Sequence, residues 1–266
     1  MMDFTGQVAI VTGAGRGLGR SHAVLLASKG CKVVINDLGG SFDGTGVGSR
    51  VADDVVREIK ALGGEAVANY DSVLEGHKIV QTAIDTYGRV DVLINNGVVI
   101  EPITSLEKIE LQDFDKAVRV NYLAPSLLIS YCWNNLLKNR GKVINVLSGA
   151  STNAIEGWTA YCSTKAALHM INQQTHLEGN QYGISSIGLS PGMVDTDMQG
   201  KIRASGINKV SKVRKEDLIN SKKTGLFALW CASSNANEFS GKMISENDHI
   251  VSVKYKAWIN AQNLKL

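Results

Sequence analysis

The chain has 266 residues, of which 44% are hydrophobic and 20% are charged, and its mean hydropathy is −0.02. This composition is ordinary for a chain that buries a sizeable core, and it excludes a disordered or fibrous protein. The formal charge is only +3, from 28 basic and 25 acidic residues, and it gives no general footprint for nucleic acid or for a membrane surface.

Seven short apolar runs rich in valine and isoleucine alternate with stretches of helical spacing. We expect each run to be a buried strand, and the runs lie at residues 8–11, 32–36, 66–68, 90–94, 142–147, 184–189 and 242–245. Alternating strands and helices predict an α/β protein with a single Rossmann-type doubly wound sheet of about seven parallel strands, flanked by helices. Because no linker or internal repeat interrupts the pattern, we expect one domain over residues 1–266.

A glycine-rich turn, TGAGRGLG at residues 12–19, follows the first predicted strand and leads into a predicted helix. Backbone N–H groups at a helix N-terminus attract phosphate, and residues without a Cβ allow the close approach that a dinucleotide pyrophosphate needs. The glycine spacing is G-x-x-x-G-x-G, and the candidate cofactor-binding residues are Gly13, Arg16, Gly17, Leu18 and Gly19. The alternative is a tight turn that binds no ligand.

The second predicted strand ends at Asn36 and Asp37, and Asp37 lies 18 residues beyond Gly19. A carboxylate at this place can accept hydrogen bonds from the adenosine ribose hydroxyls, and it repels a 2′-phosphate. Asp37 therefore favours NAD(H) over NADP(H). Arg16 argues mildly the other way, because a guanidinium can pair with a 2′-phosphate.

The sequence YCSTK places Tyr161 and Lys165 four residues apart on one face of a predicted helix. A free phenol, with a pKa near ~10, is a poor proton-transfer group at neutral pH, and a neighbouring ammonium lowers that pKa by stabilising the phenolate. The pair is therefore a candidate acid–base centre. The alternative is an exposed tyrosine beside a solvated lysine.

Together these motifs resemble those of the short-chain dehydrogenase/reductase family, and the resemblance covers nearly the whole chain. It rests on the glycine loop, an NNG at residues 95–97, Asn121, Ser148 at 13 residues before Tyr161, the Tyr161–Lys165 pair and the Pro-Gly at 191–192. It implies an oxidoreductase that transfers a hydride between nicotinamide and a secondary alcohol or ketone.

The resemblance also implies a role for each of four catalytic residues. Tyr161 would be the acid–base group, and Ser148 would orient the substrate oxygen. Lys165 would bind the nicotinamide ribose while lowering the pKa of Tyr161, and Asn121 would complete a water-linked proton relay. We expect Pro125 to kink the helix of Asn121 and so to free backbone groups for the relay water.

Further cofactor contacts follow from the same resemblance. Asp71 would contact the adenine with Ser72 beside it, and Asn95 would contact a ribose through its backbone, next to Gly97. The nicotinamide carboxamide would pack on Pro191, Gly192, Val194 and Thr196. Taken singly, Asn121 could be a helix-interior residue, Ser148 a strand-end cap and Asp71 an Asx-turn residue.

One position departs from the family pattern. The family usually has NNAG after the fourth strand, whereas this chain has Val98 in place of the final glycine. If that backbone needs a positive φ, Val98 is strained by ~1–3 kcal/mol. The alternative is a shift of the glycine position by one place to Gly97.

Residues 201–215 hold six basic side chains and no acidic one, within an excursion that we expect around 193–215 after the sixth strand. A run of like charge is usually a solvated, mobile loop. The alternative is a lid over the active site that attracts the phosphates of an acyl-CoA thioester by electrostatic steering.

The substrate is not defined by the motifs. The first half of the chain resembles the dehydrogenase domain of peroxisomal multifunctional enzymes that act on (3R)-hydroxyacyl-CoA, and the second half resembles sepiapterin-reductase-like and benzil-reductase-like carbonyl reductases. The main hypothesis is an oxidoreductase for a small alcohol or ketone; a (3R)-hydroxyacyl-CoA dehydrogenase is the first alternative. A catalytically inactive NAD-binding regulatory protein is the second. The mixed resemblance also permits a recombined chain.

The four cysteines are widely spaced and form no C-x-x-C pair, so we expect neither a zinc site nor a disulfide framework. The N-terminal sequence has no signal-peptide pattern and no run is long enough for a membrane span, which predicts a cytoplasmic protein. The C-terminal LKL is similar to a peroxisomal S-K-L ending, a less favoured alternative. By family resemblance we expect a homodimer or homotetramer.

Overall fold

The structure is a computed structural model that describes residues 3–39 and 50–264. Two features of the sequence lie outside the described residues. One is the stretch 40–49, which carries part of the resemblance to hydroxyacyl-CoA dehydrogenases, and the other is Lys265 and Leu266 of the C-terminal LKL.

The described residues form a seven-stranded sheet in which all strand pairs are parallel. The strands are β1 Val8–Thr12, β2 Lys32–Asn36, β3 Glu65–Asn69, β4 Val92–Asn95, β5 Lys142–Val146, β6 Ser185–Leu189 and β7 Met243–Ile244. Their spatial order is β3-β2-β1-β4-β5-β6-β7. The chain thus winds outward from β1 and then returns to β4 on the other side, which leaves a crevice at the carboxyl ends of the strands. The predicted fold class is confirmed.

Helices connect the strands and cover both faces of the sheet. They are α1 Gly17–Ala27, α2 Arg50–Ala61, α3 Gly76–Tyr87, α4 Leu111–Val118, α5 Ala124–Asn139, α6 Thr159–Gly179, α7 Asp197–Ser205, α8 Ser221–Ala232 and α9 His249–Ala261. Within this described part of the chain, no helix has the length and apolar content that a membrane crossing needs.

The hydrophobic core has two layers because successive strand residues point to opposite faces. On β1, Ala9 and Val11 pack with α1, α2, α8 and α9. Val8 and Ile10 pack on the other face, with α3 and α5. Both faces are buried, which explains why the strands are continuous apolar runs in the sequence.

The helix that carries Asn121 is irregular, but the irregularity does not begin at the proline. A π-helical turn, Arg119–Leu123, joins α4 to α5, and Pro125 lies in the first turn of α5. The predicted proline kink is therefore corrected to a π turn upstream of Pro125. Pro125 still lacks an N–H, so it cannot bond to the carbonyl of Asn121 four residues earlier.

The basic segment is folded rather than a mobile loop. It forms α7 and the 3-10 helix Lys209–Lys212, and it buries Ile202 and Ser211. An isolated bridge between Val194 and Ile219 closes its base. Apolar residues interspersed among the basic ones allow this segment to pack, which a count of charges alone does not show.

Candidate active site

The glycine-rich turn after β1 needs glycine at three places, because of a positive φ, a close approach of the backbone, or both. Gly13 has φ +60°, and a Cβ there would come within 2.9 Å of Gly97 Cα. Gly17 has φ +51° and is the first residue of α1. A Cβ at Gly19 would clash with the Gly13 carbonyl oxygen, so glycine is required for close packing of the helix on the turn, and the cofactor contact of Gly19 stays a prediction.

The N-terminus of α1 has the character of an anion site. Arg16 is the N-cap residue and provides no side-chain cap, and the first turn holds no acidic residue. The first backbone N–H groups of the helix therefore receive no side-chain acceptor from the cap, while the helix dipole favours negative charge in front of them. The turn fits the pyrophosphate of a dinucleotide.

The turn after β4 packs directly on the glycine loop. The Asn96 side chain donates to the carbonyls of Thr12 and Gly13 at 2.9 and 3.1 Å. Val98 does not have a positive φ, so the expected strain does not arise. Its side chain instead lines a cavity of about 600 Å³ at the carboxyl edge of the sheet, called the main cavity below. The close approach to Gly13 falls on Gly97, the alternative that the sequence left open.

Asp37 closes the end of β2 next to the glycine loop. Its Oδ2 accepts a hydrogen bond from the Gly15 N–H at 2.8 Å, and its Oδ1 accepts from the Gly39 N–H at 2.9 Å. Each carboxylate oxygen keeps further acceptor capacity, because an ionised carboxylate has about four lone-pair sites. The negative charge is thereby held beside the turn.

The predicted adenine contacts are engaged within the protein. Asp71 Oδ2 accepts from Asn69 Nδ2 at 2.7 Å, and Ser72 Oγ caps the 3-10 helix Val73–Glu75 by accepting from the Leu74 N–H. Neither lines the main cavity. The side chain that accepts from a backbone N–H at this turn is Asn69, whose Oδ1 accepts from the Asp71 N–H at 3.1 Å, and the adenine contact of Asp71 stays a prediction.

The main cavity joins the glycine loop to the candidate catalytic residues at the carboxyl edge of the sheet. Its lining includes the predicted residues Gly13, Arg16, Gly17, Leu18, Gly97, Ser148, Tyr161, Lys165, Pro191, Gly192, Val194 and Thr196. The lining does not include Gly19, Asp37, Asp71, Ser72, Asn95 or Asn121. Residues from four strand ends and α6 thus meet in one place.

Ser148 and Tyr161 meet where α6 passes the end of β5. Ser148 follows β5 and caps the 3-10 helix Gly149–Ser151, with its Oγ accepting from the Ala150 N–H at 3.2 Å. Tyr161 is buried, with its ring edge-on to Trp158 at a centroid distance of 5.5 Å. Burial raises the pKa of Tyr161 to about 12, although a hydrogen bond with Ser148 acts to lower it.

Lys165 lies one turn beyond Tyr161, fully inside the protein. Its Nζ donates to the carbonyl of Val146 at 2.6 Å and lies 5.7 Å from the centroid of the Tyr161 ring. Burial lowers the pKa of Lys165 to about 7. The expectation that Lys165 lowers the pKa of Tyr161 stays a prediction, and burial is the largest cause of the shift of each group.

The side chain of Asn121 holds two parts of the chain together. Its Oδ1 accepts from the Val99 N–H at 2.9 Å, and its Nδ2 donates to the Val99 carbonyl at 2.8 Å and to Thr164 Oγ1 at 3.2 Å. These bonds use both amide N–H groups and one of the two lone pairs of Oδ1. The proton relay through Asn121 stays a prediction, and Pro125 offers no N–H to the backbone carbonyl of Asn121.

Asn95 is buried at the end of β4, where its Nδ2 donates to Asn145 Oδ1 at 2.9 Å. This side chain therefore joins β4 to β5 within the sheet.

Among the described residues, no group of three or more His, Cys, Asp or Glu side chains could hold a metal ion. The four cysteines are free thiols.

A set of apolar residues that the motifs did not reveal lines the cavity together with Tyr161. Its residues are Val98, Ile100, Ile155, Trp158, Met193, Met198, Ile202 and Val210. Trp158 lies three residues before Tyr161, so helical spacing is a signal that could have found it. At the rim, Lys201 of α7 pairs with Glu101 at 2.6 Å.

A model of the short chain dehydrogenase family matches residues 7–206. The peroxisomal multifunctional enzyme A of Dictyostelium discoideum is 44% identical over 191 residues, covering 71% of this chain and 43% of that protein. The peroxisomal multifunctional enzyme type 2 of Mus musculus is 35% identical over 244 residues, covering 90% of this chain and 31% of that protein. This chain thus spans less than half the length of either relative.

Solved structures have the same fold. A 7α-hydroxysteroid dehydrogenase complexed with NADH and 7-oxo glycochenodeoxycholic acid has a TM-score of 0.79 at 26% identity, over 92% of this chain and 94% of that one. Carveol dehydrogenase from Mycobacterium avium in complex with NAD has a TM-score of 0.82 over 92% of this chain and 97% of that one, and its 18% identity shows the fold alone.

These similarities confirm the resemblance to multifunctional-enzyme dehydrogenase domains, whereas the resemblance of the second half to carbonyl reductases stays a prediction. The matched region includes the glycine loop and the residues around Tyr161, and the sheet has the order seen above. The chain therefore belongs to the short-chain dehydrogenase family.

Proposed function

We propose that the protein is an NAD(H)-dependent oxidoreductase that transfers a hydride between nicotinamide and a secondary alcohol or ketone, with Tyr161 as the acid–base group. The observation that carries this proposal is the single cavity that Ser148, Tyr161 and Lys165 share with the glycine loop. Ligands of open α/β sheets bind at this edge, and dehydrogenases and reductases are the named members among the relatives.

The residues present fit a nicotinamide dinucleotide. Gly13, Gly17 and the N-terminus of α1 would hold its pyrophosphate, and Pro191 and Thr196 would pack against its nicotinamide end. When bound, this group supplies or accepts the hydride. The protein supplies orientation and the proton.

The proton chemistry is assigned to Tyr161 and Ser148. A carbonyl oxygen that gains a hydride at its carbon develops negative charge, and positioned donors stabilise that charge. The raised pKa keeps the Tyr161 phenol protonated at neutral pH, so its Oη can give a proton to this oxygen. The Ser148 hydroxyl donates a second hydrogen bond to the same oxygen. Lys165 lines the same cavity, with its Nζ 5.7 Å from the centroid of the Tyr161 ring.

The preference for NAD(H) over NADP(H) rests on Asp37, which the Gly15 and Gly39 N–H groups hold beside the loop. We expect Asp37→Ala to weaken NADH binding and to improve NADPH binding, because the repulsion of a 2′-phosphate disappears. Fluorescence titration of the wild-type protein and of Asp37→Ala with NADH and with NADPH measures these affinities. Absence of binding to either by the wild-type protein would sink the enzyme proposal.

The variant Tyr161→Phe distinguishes an active oxidoreductase from the alternative, a catalytically inactive NAD-binding regulatory protein. This variant removes one oxygen atom and should reduce carbonyl turnover by roughly 10²- to 10⁴-fold while leaving NADH affinity close to that of the wild type. The matched control is Tyr182→Phe, because Tyr182 is exposed and far from the cavity lining. If the wild-type protein and Tyr161→Phe both bind NADH and neither turns over a carbonyl, the inactive-regulator alternative is favoured.

The second candidate function is (3R)-hydroxyacyl-CoA oxidation, which the similarity to peroxisomal multifunctional enzymes favours. Its electrostatic support is weaker than the sequence suggested, because Lys201 pairs with Glu101 and Arg214 with Asp217. Comparison of the turnover of hydroxyacyl-CoA thioesters with that of simple ketones decides between the two candidate functions.

A peroxisomal location is proposed with this second candidate function, and a cytoplasmic location with the first. A homodimer or homotetramer is proposed for both, and light scattering tests it.

A further inference from the structure

A buried amide on α6 joins the catalytic helix to three strand segments. Asn172 has no solvent exposure. Its Oδ1 accepts from Ser186 Oγ on β6 at 2.8 Å and from Asn145 Nδ2 on β5 at 3.3 Å, and its Nδ2 donates to the carbonyl of Lys242 just before β7 at 3.4 Å. A helix packed on a sheet is normally held by apolar contacts, which are non-directional.

Asn172 lies on the same helical stripe as the candidate catalytic pair. Tyr161, Lys165, Leu168 and Asn172 follow one another at intervals of four, three and four residues, and all are buried. Seven residues of helix rise by about 10 Å, so Asn172 lies roughly two turns from Lys165. Any shift of α6 along its axis therefore moves all of these side chains together.

The amide also connects the helix to the strand end that carries Ser148. Asn145 directly precedes Val146, whose carbonyl accepts from Lys165 Nζ. The Asn145 Oδ1 in turn accepts from Asn95 Nδ2 on β4. The hydrogen bonds thus run from β4 through β5 to α6.

The cost of burying the Asn172 amide suggests that its hydrogen bonds serve to fix the position of α6 on the sheet. A buried polar group is costly unless it is hydrogen-bonded, and an apolar residue of similar volume would fill the same space without that requirement. Satisfied buried networks specify one arrangement of the elements that they join. Apolar contacts of Leu168 tolerate small sliding motions that the Asn172 hydrogen bonds do not.

We propose that Asn172 is a positioning residue, which fixes the axial position of α6 so that Tyr161 and Lys165 meet Ser148 in the geometry needed for proton transfer. This inference rests on the proposed function. It assigns to Asn172 no contact with substrate or cofactor, since Asn172 does not line the cavity.

The test compares Asn172→Leu with Thr175→Val on the same helix. Thr175 is also buried, but among the described residues its hydroxyl bonds to the Ile171 carbonyl within its own helix and to no strand. We expect Asn172→Leu to lower kcat by roughly 10- to 100-fold, as a displacement of about 1 Å does, with the substrate KM within about threefold. Thr175→Val should retain the wild-type kcat.

The pH profile provides a readout that a merely structural role does not move. The hydrogen bond with Ser148 acts to lower the pKa of Tyr161, so its loss should raise this pKa further and move the rise of alcohol oxidation to higher pH. A folded Asn172→Leu protein with wild-type kcat and pH profile overturns the proposal.

Two further arms keep the test decisive. If Asn172→Leu does not fold, the same measurements are made after Ser186→Ala is added, since this removes the hydroxyl left without a partner. If the wild-type protein has no turnover, the proposed function fails by itself. Crystal structures of wild type and Asn172→Leu then decide the positioning: an unmoved Tyr161 overturns it, and a shift of Tyr161 and Lys165 along the α6 axis supports it.

Discussion

At the scale of single residues, burial sets the protonation of the candidate active site. Tyr161 is 7% exposed and Lys165 is 2% exposed. Desolvation penalises the charged form of each, so the pKa of the phenol rises to about 12 and the pKa of the amine falls to about 7. At neutral pH the site is therefore prepared to give a proton rather than to take one.

This arrangement predicts opposite pH dependences for the two reaction directions. Alcohol oxidation needs Tyr161 as a proton acceptor, so its rate should rise by up to about tenfold per pH unit between roughly pH 7 and pH 10. Carbonyl reduction should show no loss from Tyr161 deprotonation in that range, because the folded-state pKa lies above it. Initial rates in both directions measure this. An oxidation rate independent of pH would contradict the assignment of Tyr161.

At the scale of elements, α7 matters because it forms one wall of the cavity. Met198, Gln199, Lys201 and Ile202 of this helix line the cavity. The helix contains Gly200 in its interior and ends at Gly206, which has φ +63°. A Cβ at either glycine would meet nothing within 4 Å, so the two positions differ in backbone conformation and not in space.

Alanine at these two glycines should therefore have opposite effects. Gly200→Ala should stabilise the protein by about 0.5–1 kcal/mol, because glycine is a poor helix former. Gly206→Ala should destabilise it by about 1–2 kcal/mol, because an L-residue is strained in the left-handed region. Urea unfolding of both variants, with hydrogen exchange in α7, measures the pair. Equal changes in the free energy of unfolding would contradict the helical conformation of Gly200 and the left-handed conformation of Gly206.

At the scale of the whole molecule, the core formed by the described residues contains His22, a histidine whose ring has no hydrogen-bond partner there. His22 of α1 is 1% exposed, and within the described part of the chain neither ring nitrogen has a hydrogen-bond partner. Burial lowers its pKa to about 4 from 6.5. The folded protein thus holds this ring neutral, while the unfolded chain binds a proton below pH 6.5.

The consequence is a loss of stability in acid. The contribution of neutral His22 is fully present above pH 6.5 and disappears as the pH falls towards 4, a difference of about 3 kcal/mol. His22→Leu should remove this part of the acid limb, with the exposed His77→Gln as control. Urea unfolding at several pH values between these limits measures it. An unchanged acid limb in His22→Leu would contradict the burial of a neutral ring.

Much of the fold and of the cavity lining was predictable because it depends on local sequence. All seven strands lie within two residues of their predicted ends, since apolar runs are required wherever both faces of a sheet are covered. The glycines of the loop and the pairing of Tyr161 with Lys165 follow from φ, from close approach and from helical spacing. None of these needs knowledge of distant contacts.

Other features depend on which elements stack against each other, and only the tertiary structure decided them. The Asn121 amide is taken up by Val99, and the Asn172 amide by three strand segments. The folding of α7 over the cavity and the raised pKa of Tyr161 arise in the same way. The sequence by itself determined the topology and the chemical groups of the site. The protonation states and hydrogen-bond partners of these groups depend on desolvation and long-range hydrogen bonds, which exist only after the sheet and helices have packed.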